Sequence, residues 1–142
     1  MKNDINKAIE LLNEGNYTCV LCKGDILYTS TQRGVKPLLD WLDEKVDLKG
    51  FSAADRVVGK GAAFLYVLLG VKAVYAHVMS DEAIQILTEN GIKQKCDVSV
   101  KNIINRAGTG ICPMEEATRE ISNPKKALQA IKQRLAELKS RA

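Results

Sequence analysis

Ser52-Ala53-Ala54-Asp55-Arg56-Val57-Val58-Gly59-Lys60-Gly61-Ala62-Ala63, running on through Leu65, Val67 and Leu68 to Gly70, is the stretch whose reading decides the fold. Ser52 is a favoured N-cap residue, and Asp55 stands three positions on, in a capping-box-like spacing. The turns that follow are apolar on most sides, so the segment reads as one long, central and buried helix. Gly70 is its natural C-terminal stop. Gly59, Gly61, Ala62 and Ala63 are small, which lets a neighbouring backbone come close.

Outward from that segment the pattern is clear on both sides. Upstream, Asp4 to Leu12 reads as a short helix with Ile5, Ala8, Ile9 and Leu12 on one face, ended by Gly15. Tyr17 to Cys22 and Ile26 to Thr29 are β-rich runs around Lys23-Gly24-Asp25, a hairpin signal. Pro37 leads a helix through Leu38, Leu39, Trp41 and Leu42. Downstream, Val71 to Val78 is a near-continuous apolar strand, and Ser80-Asp81-Glu82 caps a helix that ends at Asn90-Gly91. Cys96 to Val100 alternates as a strand, which completes a parallel βαβ unit. A loop, Arg106-Ala107-Gly108-Thr109-Gly110-Ile111, then meets Cys112-Pro113-Met114-Glu115, where proline opens a helix with Cys112 at its N-cap. Asn123-Pro124 starts a last amphipathic helix with Ala127, Leu128, Ile131, Leu135 and Leu138 as its stripe. The expectation is an α/β fold of three layers, α/β/α, on a mixed sheet made of the N-terminal hairpin and the parallel βαβ. One domain over 1–142 accounts for the length, with helices at 1–15 and 123–142.

Composition narrows the function classes. The chain has 142 residues, 46% hydrophobic and 27% charged, in the range of soluble globular proteins. The net charge of +4 is mild, and the basic residues of the last helix read as a solvated face. Aromatic residues are too few to stack bases, so nucleic acid is not an expected partner. The longest apolar run, around Ala62 to Val71, is too short to span a bilayer. The opening Met1-Lys2-Asn3-Asp4 is not followed by the apolar core of a secretory leader, so a cytoplasmic protein with reduced thiols is expected. Self-association is compatible with this composition.

Two segments carry a resemblance. Ser52 to Ala63 and Arg106 to Glu115 resemble a bacterial and archaeal family of unknown function assigned to the cytidine-deaminase-like fold. The order of elements, roughly from Ile5 to Ile121, is similar to that fold. Working zinc deaminases carry His-x-Glu at the start of the buried helix and Pro-Cys-x-x-Cys at the start of the next catalytic helix. The resemblance implies that Ala53 stands where the zinc-binding histidine would be, Asp55 where the proton-shuttling glutamate would be, and Glu115 in place of one cysteine. Catalytic zinc needs three protein ligands, so neither zinc nor another cofactor is expected. The same geometry would bring Asp55 near Cys112.

Each candidate residue has a functional and a structural reading. Cys112 is a nucleophile, redox thiol or ligand contact activated by a helix N-terminus, or a weak N-cap in tight packing. Asp55 is a proton partner or pocket acid, or the cap of its own helix. Lys60 pairs with an acid or contacts a phosphate. Arg106 with the backbone of Gly108 and Gly110 is the best anion-site candidate, although Gly-Thr-Gly matches neither nucleotide fingerprint and a plain turn accounts for it as well. Glu115 completes the set. Cys19 and Cys22 spell Cys-x-x-Cys on a strand, where residues three apart face opposite ways, so two separate thiols are expected. His77, at the end of its apolar strand, is a pocket residue or a hydrogen-bonded structural one. The leading functional expectation is a zinc-free domain that binds a small anionic or nucleotide-like ligand through Asp55, Lys60, Arg106, Gly108, Gly110, Cys112 and Glu115. A metal-independent enzyme using Cys112 as nucleophile or sulfur carrier is the alternative, and a protein-interaction module the third.

Overall fold

The computed structural model describes residues 3–104, 108 and 110–140. Its elements run α1 (Asp4–Glu14), β1 (Cys19–Lys23), β2 (Ile26–Ser30), α2 (Lys36–Asp43), β3 (Ser52–Val58), α3 (Lys60–Leu69), β4 (Ala73–Ser80), α4 (Asp81–Glu89), β5 (Lys93–Val100), α5 (Pro113–Ala117) and α6 (Pro124–Ser140). The five strands form one mixed sheet in the order β2-β1-β3-β4-β5. β1 is antiparallel to both β2 and β3, while β3, β4 and β5 are parallel.

The expected α/β/α layering is present. On one face α1 lays Ala8 and Leu12 against Val20, Cys22, Ala54 and Tyr75. On the other, α2, α3, α4 and α6 close a larger core around Leu65, Tyr66, Met79, Leu87 and Ile131. Local chemistry places the helices as the spacing predicts. Asn3 accepts the Asn6 N–H to cap α1, Ser80 accepts the Ala83 N–H to cap α4, and Asn123 accepts from Lys125 and Lys126 to start α6. Gly70 ends α3 in the left-handed region, at φ 77°. No helix among the described residues is long and apolar enough to cross a membrane.

The departure is at the deciding stretch. Residues 52–58 are not the first half of a helix; they are β3, the middle strand of the sheet, and the helix begins only at Lys60. β3 lies between β1 and β4, and its first half is covered on both faces, with Ala53 in the larger core and Ala54 in the smaller one; Arg56 and Val57 are exposed. A strand half buried on both sides has no polar alternation to reveal that half, and two alanines look helical by propensity alone. The local strand signal is Val57-Val58, β-branched and directly before a glycine. Ser52, expected to cap a helix, is instead buried with its hydroxyl unpartnered among the described residues. With β3 in place the chain has two consecutive βαβ units, not one.

The short α3 is buried almost all round, and its small residues serve as expected. A β-carbon at Gly61 would lie 3.3 Å from Ile131 Cδ1 and 3.4 Å from Met114 Cβ, so α5 and α6 sit directly on this glycine.

Candidate functional site

The parallel strands β3 and β4 each feed a helix start at the same end of the sheet, where ligands bind in many α/β proteins. The start of α3 is unusual in having no side chain of its own to serve it. Gly59 is the N-cap and gives no side-chain hydrogen bond. The deficit is made up from the distant α5, where Glu115 Oε1 accepts the Lys60 backbone N–H. The carboxylate lies so close that a β-carbon at Gly59 would overlap Oε1 and come within 2.9 Å of Ile103 Cγ1. Glycine is thus required at position 59 by approach, since its φ of −98° is open to any residue.

Lys60 is also buried, and its ammonium turns away from the carboxylate that its backbone serves. Nζ donates to the Arg119 carbonyl at 2.8 Å and pairs with Glu82 Oε2 at 3.3 Å, at the start of α4. Burial pushes the Glu115 carboxyl above its ordinary range, the Lys60 N–H pulls it back, and the Glu82 charge raises it again. The structure therefore brings Lys60 and Glu115 together, through the backbone N–H of one and the carboxylate of the other. Cys112 caps α5 three residues before Glu115, as the spacing predicts. Its N–H donates to the Ile103 carbonyl at 2.8 Å, its side chain makes no capping hydrogen bond, and it is partly buried.

Asp55 stands elsewhere. The expectation that it opens a helix is corrected by β3: it is a mid-strand residue, paired in register with Cys19 and Ala76. On the α3 side its Oδ2 accepts the Tyr66 hydroxyl at 2.7 Å, and that hydroxyl lies 3.3 Å from Cys19 Sγ. Burial pushes the Asp55 carboxyl up to about 6, against the Tyr66 and backbone hydrogen bonds that hold it down. Burial, and then the Asp55 charge, push the Cys19 thiol well up. Asp55 makes no hydrogen bond or ion pair with Lys60, Cys112 or Glu115 among the described residues. Tyr66 is the member of this trio that the sequence does not announce, because an aromatic on an apolar helix looks like plain core.

The glycine loop is closed at its base by an antiparallel bridge between Ile104 and Ile111. Gly108 has φ +71°, and nothing lies within 4 Å of a β-carbon built at Gly108 or Gly110. Arg106 and Thr109 lie outside the described residues. Cys19 and Cys22 point into different cores, one on each face of β1, as strand geometry requires. His77 is not at the end of its strand, since β4 runs on to Ser80. Its Nε2 lies 2.7 Å from Asn13 Oδ1 on α1, and its ring meets Tyr75 edge-on, which is the structural arrangement.

Two open depressions, of about 380 and 360 Å³, lie at the loops flanking α2 and α3 and between α1 and the β1–β2 turn. Neither is lined by Lys60, Cys112 or Glu115. Among the described residues no three His, Cys, Asp or Glu side chains are grouped to hold a metal ion.

Comparison with curated proteins finds no match. Among solved structures, the chain is similar to the crystal structure of a DUF1893 family protein (TM1506) from Thermotoga maritima at 2.70 Å resolution. The TM-score is 0.85 with 23% identity, over 94% of this chain and 90% of that one, a likeness of fold. The sequence itself matches the family described as "TM1506: Domain of unknown function (DUF1893)" over residues 7–135. The chain belongs to that family.

Proposed function

We propose that the chain binds a small anionic or nucleotide-like ligand at the end of the sheet where α3, α4 and α5 begin. The observation that carries this reading is the Glu115 carboxylate lodged against Gly59. A helix start stripped of side chains and answered by a carboxylate from another segment is a place built to receive negative charge. An external carboxylate or phosphate at this edge would meet Lys60, the partly exposed Cys112 and the loop carrying Arg106, Gly108 and Gly110. Asp55, held by Tyr66, would act from behind, on the sheet. The cytidine-deaminase-like resemblance fits a pocket at this edge. Its zinc does not fit, because among the described residues no three His, Cys, Asp or Glu side chains are grouped to hold a metal ion, and Glu115 is already engaged by a backbone N–H. No step is therefore routed through a metal.

Thermal unfolding in the presence of inorganic phosphate and a panel of nucleoside mono- and diphosphates tests the reading. A ligand at a hundred times its Kd adds about 2.7 kcal/mol, which raises Tm by roughly 5–10 °C for a chain of this size. The rise is expected for the native protein and lost in Arg106→Ala. A panel that leaves Tm unmoved throughout overturns it.

A further inference from the structure

We propose that β5 is a self-pairing edge: two copies of this chain join antiparallel along it about a two-fold axis through Cys96, so that Lys95 of each copy faces Asp97 of the other.

β5 is the last strand of the sheet and eight residues long. Among the described residues its extensive element contacts are with β4 and α4, on one side and one face. Lys93, Lys95, Asp97, Val98 and Ser99 are exposed. An edge strand offers a row of unpaired N–H and C=O groups, and lysines commonly guard such a row by repelling a second copy. In β5 that guard is cancelled. Lys95 and Asp97 are two apart and share a face. The Tyr75 hydroxyl, in the α1-side core, donates to Asp97 Oδ2 at 2.7 Å and holds the carboxylate on that face.

The charges also select the register. With the axis at Cys96, both cross-strand pairs beside it are Lys95 with Asp97. Moving the axis by one residue sets Lys95 against Lys95 or Asp97 against Asp97. Opposite charges directly across an antiparallel ladder stabilise it, and like charges oppose it. Val98, which is 53% exposed and continues the in-register row Val57–Val78–Val98, gains cover from Gln94 of the partner subunit. The opposite edge, β2, is five residues long and has no charged side chain to set a register. Joining at β5 is isologous and closes at two copies, giving one ten-stranded sheet.

Sedimentation equilibrium on the full chain, with circular dichroism to check folding, tests this. The native protein is expected to dimerise. Lys95→Asp and Asp97→Lys each place like charges across both pairs and should weaken association roughly tenfold or more. The double variant restores complementarity and should recover the dimer. A short bis-maleimide should link two native chains through Cys96 on each, mapped by peptide mass spectrometry. The proposal is overturned by a native protein that stays monomeric at millimolar concentration, by a dimer indifferent to Lys95→Asp, or by a folded double variant that does not recover. If the variants do not fold, the cross-link decides: linkage through Cys112 without Cys96 overturns the proposal.

Discussion

Two acids, Asp55 half-buried and Glu115 buried, divide the molecule between them. Asp55 sits in the middle of the sheet and is answered by side chains, the Tyr66 hydroxyl and through it Cys19. Glu115 sits at the rim of the sheet and is answered by backbone, the Lys60 N–H beside a glycine that leaves it room. Burial raises both carboxyls. The difference is in what each position can do. Asp55, half-buried on β3, ties the sheet to α3 through the Tyr66 hydroxyl. Glu115 belongs to a five-residue helix that follows a glycine loop, and it fills the start of α3, the position at which the proposed anion would compete with it.

The contrast can be broken at its strongest point by Gly59→Ala. The added methyl overlaps the Glu115 carboxylate and crowds Ile103, so either the cap is lost or the helix shifts. Overpacking and an unanswered buried charge together should cost about 3 kcal/mol in urea unfolding. Glu115→Ala made in the same chain should recover part of the methyl's penalty, because the two changes share one space. A Gly59→Ala protein as stable as the parent would remove Glu115 from that position.

The Asp55 side is sharpened by pH. Its carboxyl titrates at about 6 when folded and near 3.9 when unfolded, so the folded state holds the proton more tightly. The stabilisation is fully present below about pH 4 and is lost as pH rises through about 6. The limit set by two pH units is roughly 3 kcal/mol, and about 2 kcal/mol is expected. Asp55→Asn should flatten this slope. Tyr66→Phe should move the loss to higher pH, because the hydroxyl is what holds the carboxyl down. A profile that is level from pH 4 to 6 in the parent would sink this account of Asp55. Glu115, also raised, adds to the slope with the same sign and survives Asp55→Asn.

The smallest effect separates the strand at 52–58 from a helix start. If Ser52 capped a helix, Ser52→Ala would cost about 1 kcal/mol. As a buried strand residue with an unpartnered hydroxyl, its removal should be neutral or stabilising by a few tenths of a kcal/mol in the same urea assay. A loss near 1 kcal/mol would return the residue to a cap.

How much of this could be read from residues alone follows from how local each signal is. Hairpin, caps and amphipathic stripes are written in neighbouring residues, and α1, β1, β2, α4 and α6 stand where the spacing puts them. The opening of α5 is as local, with Pro113 first and Cys112 as cap. β3 was hidden because its neighbours, not its own sequence, bury both faces of its first half. That single misreading also made Asp55 the cap of a helix, where the structure has a mid-strand residue hydrogen-bonded to Tyr66. The Lys60–Glu115 contact joins residues 55 apart. The only local trace of it is the glycine before Lys60, which marks a close approach without naming what approaches.

The two thiols of β1 have a consequence for how the protein loosens. Cys22 lies under α1, an eleven-residue helix that is the one covering its face among the described residues, while Cys19 lies under α3, itself packed against α2, α4 and α6. One strand thus carries a chemical reporter for each layer of the molecule. Native-state thiol exchange at Cys22 counts the occasions on which α1 lifts away, and exchange at Cys19 counts those on which the whole sheet–helix sandwich opens. The ratio of the two rates measures whether this small domain breathes layer by layer or opens all at once.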